Sequence, residues 1–449
     1  MRLAAALFFA AVVRLPAQLT LPSTGCPMAH CTNHLNDAVG LISPSTNVVS
    51  TPAFAAGPGA KRGLGCSSNG SIAACTFGST TGPNLIGYTA GGTELFTDNG
   101  LFDQNAYTSA PIVFSNGAVL AADDQTMALF SPNPQPQPGY SITWSTKIAK
   151  VSHGGDSPLS PVPVPSGPSP AFVVIARRLS GWISTYNVNT GAEPAHSIQV
   201  KVPINNIDTV CTSANTPAVD GSNVYIAEQC GTNTGVLAIV AVAADGSMTY
   251  ITSLSWNPSF QFLAPSGASP TFANGMVYFD GSTPAGGGVF YGVPANGIGT
   301  IVSTAGFRTF KAFKANAPFD PVRNGIWVWD VGDSNLYLLD AITLEPTSVP
   351  VIPAGYLPSS AISLSRRDTN NDVILTFGAI PPGKSSVPYI TAMDVTTSIA
   401  ADESLFATPL NQTVGNYAAG QFPIVYNNAE AFVVCVGSES GTFFVGPSH

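Results

Sequence analysis

Four side chains that can bind a soft or borderline metal lie within nine residues near the N-terminus. They are Cys26, His30, Cys31 and His34, in the segment CPMAHCTNH. Thiolate and imidazole suit both Zn²⁺ and Cu, so these residues form a candidate metal site. We favour a disulfide between Cys26 and Cys31, and the metal site is the alternative. The segment is not a c-type haem site, because that attachment needs Cys-x-x-Cys-His.

Two further cysteine pairs flank tight turns. Cys211 and Cys230 are equidistant from Asp220-Gly221, which predicts that they face each other across a hairpin. Cys66 and Cys75 flank an Asn-Gly turn about one residue out of register. We expect both pairs to form disulfides in an oxidising compartment. Buried free thiols are the alternative.

One strand pattern repeats along the chain with a period of roughly 53 residues. A small residue and a proline open a short apolar strand, a turn such as Asn-Gly or Asp-Gly follows, and further strands complete the unit. The copies begin near Pro52, Pro111, Pro161, Pro217, Pro270, Pro318, Ser360 and Pro423. A regular period of this size, built only from strands, is typical of a β-propeller with four-stranded blades.

The repeats predict an all-β fold, an eight-bladed β-propeller of four-stranded antiparallel blades. The last copy is one strand short, so we expect a segment before Pro52 to supply that strand and close the ring. Residues 18–449 are then one propeller domain, in which residues 18–45 are the N-terminal arm and closing strand.

The composition and the N-terminus indicate an exported protein that does not bind nucleic acid. Charged residues make up 9% of the chain and the net charge is −9, whereas nucleic-acid binding needs a basic surface. Arg2, the apolar run Leu3 to Val13 and Leu15-Pro16-Ala17 predict a signal peptide over residues 1–17, with an initial strand as the alternative. The run is shorter than the ~20 residues of a membrane span. We therefore expect a secreted or periplasmic protein without a transmembrane segment.

The predicted fold brings residues from different blades to one mouth of the central channel, where propellers usually bind ligands. These residues lie just before each inner strand. The ligand-binding candidates are Asn105, His153, Asp156, Asp208, Lys311, Lys314 and Asn416. With Arg308, the two lysines form a positive patch opposite aspartates of other blades, and a mixed-charge mouth suits a small polar or anionic ligand. Solvated loop charges are the simpler interpretation, which we prefer.

Several repeat segments resemble the pyrroloquinoline-quinone (PQQ)-like propeller superfamily. LYLLDAITLEP (Leu336 to Pro346) is similar to the strand and turn of its repeat, and YNVNTGAEP (Tyr186 to Pro194) is similar to the same turn with its Thr-Gly. The resemblance covers roughly residues 45–446, and eight blades is the usual number in that superfamily. Pro27-Met28 also resembles the entry segment before the first blade, with Cys26 in place of a tryptophan.

The resemblance implies one of two functions. The superfamily includes quinoprotein dehydrogenases, which hold PQQ and Ca²⁺ over the channel, and non-catalytic members. The sequence has no vicinal cysteine pair, no repeated tryptophan motif and no assignable Ca²⁺ ligand set. We therefore predict no cofactor and expect an exported non-catalytic propeller that binds a protein or polysaccharide partner. The alternative is a quinoprotein-like oxidoreductase that oxidises an alcohol or sugar with PQQ and Ca²⁺, where Asp156 or Asp208 would be the catalytic base.

Overall fold

The computed structural model is built from β-strands and contains no α-helix among the residues it describes. The structure describes residues 19–23, 25–26, 28–29, 31–32, 38–42, 48–55, 60–79, 82–89, 93–102, 110–134, 139–148, 156, 158–193, 197–213, 216–231, 234–255, 269–282, 288–304, 317–330, 335–347, 357–366, 373–380, 389–395, 404–409, 424–427, 430–435 and 441–447. This part of the chain has no helix of the length and apolar character that a membrane crossing requires. The predicted signal peptide, residues 1–17, lies outside the described residues.

The described strands form eight sheets, which we number in chain order. Sheets 1 and 2 contain β3 (Ala60–Ser68), β4 (Ile72–Ser79), β5 (Leu85–Thr89) and β6 (Glu94–Thr97), then β7 (Ile112–Val113), β8 (Val119–Ala122), β9 (Thr126–Pro132) and β10 (Tyr140–Lys147). Sheets 3 and 4 contain β11 (Val162–Val164), β12 (Phe172–Ala176), β13 (Trp182–Asn187) and β14 (Ile198–Gln199), then β15 (Lys201–Ile204), β16 (Ile207–Ser213), β17 (Ala218–Asp220), β18 (Asn223–Cys230), β19 (Thr234–Val242) and β20 (Met248–Ser255).

The second half of the chain continues the same arrangement. Sheets 5 and 6 contain β21 (Thr271–Ala273), β22 (Met276–Ser282), β23 (Gly288–Pro294) and β24 (Val302–Ser303), then β25 (Phe319–Asp320), β26 (Gly325–Asp330) and β27 (Asn335–Asp340). Sheet 7 contains β28 (Leu357–Arg366), β29 (Val373–Ile380), β30 (Tyr389–Asp394) and β31 (Ser404–Pro409), with the N-terminal strand β1 (Ala38–Ile42) at its edge. Sheet 8 contains β32 (Ile424–Asn427), β33 (Glu430–Cys435) and β34 (Gly441–Pro447), with β2 (Val48–Ala55) at its edge.

Successive sheets pack face to face around a common side. The first strands of neighbouring sheets contact each other, as β3 contacts β7 and as β17 contacts both β11 and β21. An apolar cluster fills each of the interfaces from sheets 1 and 2 through to sheets 5 and 6. First strands on the inside and apolar faces between neighbours are the arrangement of a β-propeller.

Both faces of a central strand are buried, which explains why the strands read as continuous apolar runs. In β18, Val224 and Ile226 pack in the cluster shared with sheet 3. Tyr225 and Ala227 point the other way and pack in the cluster shared with sheet 5. Each fully buried side chain of the size of valine or isoleucine contributes ~1.5–3 kcal/mol to folding. The fold therefore rests on these inter-sheet interfaces.

Hydroxyl side chains join the inner strands of neighbouring sheets at the prolines that open the repeats. The hydroxyl of Ser67 donates to the carbonyl oxygen of Pro111 (2.6 Å). The hydroxyl of Thr271 donates to the carbonyl oxygen of Ala317, which precedes Pro318 (2.9 Å). Proline has no N–H to donate, so it is tolerated at the start of a strand. The carbonyl oxygen of Pro111, or of the residue before Pro318, accepts the hydroxyl of the preceding sheet.

The hairpin turns agree with the sequence at one position and differ from it by one residue at another. Asn274-Gly275 connects β21 and β22, and both residues have positive φ (51° and 73°), as the type I′ turn requires. In sheet 4, however, Asp220 pairs with Asn223, so the two turn residues are Gly221 and Ser222. Only Gly221 has positive φ (56°), which fits a type II′ turn with glycine first.

The prediction that the first repeat begins at Pro52 is wrong, because Pro52 lies in β2. This strand pairs with β34 of the last sheet, and Pro52 is opposite Phe443. The closing strand was expected within residues 18–45, but the strand that pairs with the last one is Val48–Ala55. β2 is an edge strand with an irregularity between Pro52 and Phe54, the position in a sheet where proline is tolerated.

The N-terminal arm crosses three sheets before it reaches β1. The N–H of Leu21 donates to the carbonyl oxygen of Pro168 in sheet 3 (2.7 Å). The N–H of Ser115 in sheet 2 donates to the carbonyl oxygen of Thr20 (2.8 Å). Leu19, Leu21 and Met28 are buried in the apolar cluster between these two sheets. The arm is therefore part of the core.

The loops that follow β13 and β27, the third strands of sheets 3 and 6, have the same turn geometry. These loops lie in the two segments that resemble the PQQ-like repeat. The Asn187 side-chain oxygen accepts the N–H groups of Asn189 and Thr190 (3.0 and 3.1 Å). The same arrangement follows β27, where Asp340 accepts from the two corresponding N–H groups (2.9 and 2.8 Å). The next residue has positive φ in both turns, 69° at Gly191 and 60° at Leu344. Gly191 also lies against the ring of Trp144, where a Cβ would clash.

Gly191→Ala should destabilise the protein by ~2–5 kcal/mol. About 1–2 kcal/mol arises from the left-handed backbone, and ~1–3 kcal/mol arises from overpacking against Trp144. Gly275→Ala is the matched control, because Gly275 has a similar φ (73°) but no atom within 4 Å of an added Cβ. Equilibrium denaturation of both variants measures the difference, and equal losses would contradict the packing role of Gly191.

Candidate functional site

The two ends of the sheets differ in what they carry. Consecutive strands are antiparallel, so turns between first and second strands lie at one end, and turns between second and third strands lie at the other with the connections between sheets. The N-terminal arm follows the first end, since its Cys26 carbonyl accepts from Ser68 beside the β3–β4 turn (2.7 Å). We call this the arm end. The opposite end, the mouth end, is where the sequence predicts ligand binding.

Two of the predicted ligand-binding residues are described by the structure, Asp156 and Asp208. The others lie outside the described residues: Asn105, His153, Lys311, Lys314 and Asn416. Arg308 and the candidate metal ligands His30 and His34 also lie outside them.

Asp156 is buried, with 5% of its surface exposed, and it holds the turn between β12 and β13. Its Oδ1 accepts the N–H groups of Leu179 (2.7 Å) and Ser180 (3.2 Å). Its own carbonyl oxygen accepts from Nη1 of Arg177 (2.8 Å). The side chain is thus part of a polar network at the mouth end rather than a solvated loop charge.

Arg177 is the centre of this network, and the sequence did not identify it. Its side chain is buried between sheets 2 and 3, and Nη1 also donates to the carbonyl oxygen of Asp124 (3.2 Å). Burial lowers the pKa of Arg177, against the opposing effect of Asp156, Tyr186, Asp124 and, less strongly, Asp123. The sequence feature that could have identified Arg177 is the pair of arginines directly after the apolar strand FVVIA, because the chain has only 16 lysines and arginines.

Asp208 lies on a β-hairpin that projects at the mouth end. β15 and β16 pair from Lys201 opposite Val210 to Ile204 opposite Ile207, around an Asn205-Asn206 turn in which both residues have positive φ. Only the last three residues of β16 pair with β18, so the rest of the hairpin extends past the end of that strand. Asp208 is exposed opposite Pro203, on this projection rather than in the channel.

A disulfide fixes the base of this hairpin. Cys211 of β16 is bonded to Cys230, the last residue of β18, and both are fully buried. The two cysteines are directly paired across the strands, as the sequence predicts. The bond therefore joins the connection between sheets 3 and 4 to the second strand of sheet 4.

The other two predicted pairs are also bonded. Cys66 pairs with Cys75 in direct register and not one residue out of register, because the turn is centred one residue later, on Gly70-Ser71. Cys26 is bonded to Cys31 in the buried arm. A thiolate is the form that binds a metal, so neither sulfur of this bonded pair is available as a ligand. No group of three or more histidine, cysteine or acidic residues is close enough to hold a metal within the described part of the chain.

Glu228 is a buried acid that is not among the residues predicted from the sequence. It lies between Ile226 and Cys230 on β18, opposite Ser213, and 1% of its surface is exposed. Its Oε2 has no hydrogen-bond partner among the described residues. Loss of solvation raises the pKa of Glu228 to about 8. The sequence signal was an acidic residue inside an apolar strand, VYIAEQC.

Glu228 and Arg177 belong to a series of buried charged residues near the mouth-end terminus of second strands. One residue of each sheet from 2 to 6 occupies this level, and each is at most 3% exposed: Asp123, Arg177, Glu228, Asp280 and Asp330. Arg177 and Glu228 have buried side-chain atoms with no hydrogen-bond partner among the described residues, and buried charges are rarely left unpaired without a function. The mouth end is therefore the candidate functional site.

The fold has known structural relatives. The quinohemoprotein alcohol dehydrogenase from Comamonas testosteroni is similar with a TM-score of 0.62 at 10% identity, over 95% of this chain and 81% of that chain. The quinohemoprotein alcohol dehydrogenase ADHIIG from Pseudomonas putida HK5 is similar with a TM-score of 0.58 at 11% identity, over 95% of this chain and 80% of that one. No known family and no curated protein matches the sequence.

These findings define a β-propeller protein. The predicted all-β propeller fold is confirmed, and its likeness to quinohemoprotein dehydrogenases extends the sequence resemblance at the level of the fold. The number of blades and the closure of the ring stay predictions. Identities near 10% carry no information about activity.

Stability should fall as pH rises from about 4.5 to about 8, and Glu228→Gln should remove much of this dependence. The pKa of Glu228 is about 8 in the folded protein against an ordinary value of 4.5. The folded state therefore binds the proton of Glu228 more tightly than the unfolded state does. The resulting stabilisation is complete below the ordinary pKa of 4.5 and is lost as the pH rises through the folded-state pKa of about 8. Denaturation between pH 5 and 8.5 measures the slope.

Glu193→Gln is the control for this prediction, since Glu193 is exposed. It should leave the slope unchanged. An unchanged slope in Glu228→Gln as well would show that Glu228 is not the titrating group.

Proposed function

We propose that this protein is an exported, non-catalytic β-propeller that binds a partner through its mouth end. The observation that carries the proposal is the projecting hairpin β15–β16. It exposes Ile207, with 69% of its surface accessible, beside the exposed Asp208. Binding residues are often carried by loops that a rigid scaffold positions.

The hairpin is held in one orientation, which favours binding. The Cys211–Cys230 bond fixes its base. Gly231, just after β18, lies against it, since a Cβ there would be 3.7 Å from Ile204 Cδ1 and 3.8 Å from Thr209 Cγ2. A preorganised element loses less conformational entropy on association.

The side chains of the hairpin favour a protein partner over a polysaccharide. An exposed isoleucine between Lys201 and Asp208 gives an apolar contact with charged residues around it, the usual composition of a protein interface. The segment KVPINNIDTV contains no aromatic residue, whereas stacking on sugar rings needs one.

Export is supported by the cysteines. Three disulfides lie within the described residues, and stable disulfides are typical of oxidising compartments. With the predicted signal peptide, they favour a secreted or periplasmic location.

The alternative, oxidation of an alcohol or sugar with PQQ and Ca²⁺, rests on the superfamily resemblance. The bonded cysteines are 5, 9 and 19 residues apart, so none of these disulfides is vicinal. One oxygen of Asp156 is occupied by two backbone N–H groups, and Asp208 lies on the hairpin. These residues do not fit the catalytic base that this alternative needs, and we assign them no step.

Ile207→Ser should weaken partner binding at least about tenfold, as expected for removal of an apolar anchor of ~1.4 kcal/mol or more. Ile342→Ser is the matched control, because Ile342 is equally exposed (67%) but follows β27 at the arm end. Surface plasmon resonance against candidate exported proteins and polysaccharides measures both variants. Equal effects of the two substitutions on partner affinity would exclude the mouth-end hairpin as the binding surface.

Thermal unfolding with added PQQ and Ca²⁺ tests the alternative. We expect no saturable rise in Tm. A saturable rise with bound quinone would overturn the non-catalytic assignment, whatever the result for the hairpin.

A further inference from the structure

Polar atoms without partners concentrate around the turn between β12 and β13. Among the described residues, buried side-chain atoms without a hydrogen-bond partner include Nε and Nη2 of Arg177, Nε of Arg178, Oγ of Ser180 and Oδ2 of Asp156. Folded proteins pair nearly all of their buried polar atoms. Five such atoms at one turn therefore indicate a bound polar group, either a ligand or ordered water.

The free atoms of Arg177 define what kind of group fits. Nη1 already donates to the carbonyl oxygens of Asp124 and Asp156. Nε and Nη2 lie along one edge of the planar guanidinium, and this edge binds two oxygens of a carboxylate or phosphate in parallel. The side chain is only 2% exposed, so bulk water does not satisfy these donors.

Asp156 adds the opposite requirement. Its Oδ1 accepts two backbone N–H groups, and its buried Oδ2 needs a donor. The carboxylates of Asp123 and Asp124 also lie close enough to Arg177 to affect its pKa. Three carboxylates disfavour a fully ionised oxyanion, whereas an oxyanion that keeps a proton offers acceptors to Arg177 and a donor to Asp156.

We propose that this turn binds hydrogen phosphate. Two of its oxygens accept from Nε and Nη2 of Arg177, its P–OH group donates to Oδ2 of Asp156, and the one remaining oxygen accepts from Ser180 Oγ and Arg178 Nε. Access is over the turn itself, where Arg178 and Ser180 are partly exposed and Leu179 is 51% exposed. The turn adjoins the base of the β15–β16 hairpin, where the N–H of Ser213 donates to the carbonyl oxygen of Arg178 (3.0 Å). The phosphate site uses none of the exposed side chains of the hairpin.

The proton gives the site a selectivity that can be measured. Sulfate has the size and shape of phosphate but carries no proton at neutral pH, so one of its oxygens would face Oδ2 of Asp156 with no hydrogen between them. A buried acceptor without a donor costs ~1–3 kcal/mol, more when charged. The site should therefore prefer phosphate to sulfate by at least about tenfold.

Thermal unfolding of the whole protein at pH 7, with phosphate or sulfate at matched ionic strength, tests the proposal. We expect a saturable rise in Tm with phosphate and a response at least about tenfold weaker with sulfate, because a ligand of the folded state stabilises it. In Asp156→Asn, the amide oxygen still accepts the N–H groups of Leu179 and Ser180. The amide NH2 group then replaces Oδ2, so a donor faces the bound anion in place of an acceptor. It should reverse the preference, so that sulfate binds better than phosphate.

Asp340→Asn is the control, since Asp340 also accepts the backbone N–H groups of a turn but lies at the arm end. It should leave the preference unchanged. Ser180→Ala is the second variant if Asp156→Asn does not fold. It removes only the free hydroxyl, because the backbone N–H of Ser180 makes the bond to Asp156, and it should weaken phosphate binding severalfold.

Equal responses to phosphate and sulfate in the unsubstituted protein, or no response, would overturn the proposal. Unchanged phosphate affinity in both Asp156→Asn and Ser180→Ala would overturn it as well. A crystal structure grown in phosphate that has only ordered water on the Arg177 edge would lead to the same conclusion.

Discussion

Burial of both faces of sheets 2 to 5 between their neighbours is the constraint on which the rest of the described structure depends. A strand such as β18 contributes Val224 and Ile226 to one interface and Tyr225 and Ala227 to the next, so no sheet is complete by itself. The consequence is low tolerance for polar groups inside the sheets. The buried charged residues of sheets 2 to 6 therefore lie near the ends of the second strands, at the mouth end.

The two ends of the sheets meet this constraint differently. At the arm end, the N-terminal arm covers the turns with buried Leu19, Leu21 and Met28, and backbone hydrogen bonds join it to three sheets. At the mouth end, the buried charges of Arg177 and Glu228 have side-chain atoms without a partner in the described part of the chain, and a hairpin extends outward. The arm covers the turns of sheets 1 to 3 at one end, and the other end carries the chemistry available for binding.

The sequence predicted features that depend on local spacing. The cysteine pairs and the Asn274-Gly275 turn follow from distances along a hairpin. Pro52 was misassigned, because its strand completes a sheet built from the opposite end of the chain. Arg177 and Glu228 could be noticed as charges in apolar strands, but their partners depend on which sheets become neighbours. The β15–β16 hairpin was missed because KVPINNIDTV also fits an ordinary fourth strand and connection.

The pairing of β2 with β34 has a consequence for the timing of synthesis. Val48 pairs with Pro447, so β2 lacks its partner until a strand 399 residues later in the chain has been synthesised. At typical elongation rates this interval is roughly 20–80 s. During it, sheet 8 and the arm strands lack their partners, and contacts of such sequence separation form slowly. Sheet 8 is therefore completed after the sheets that are built from contiguous strands, such as sheets 2 and 5.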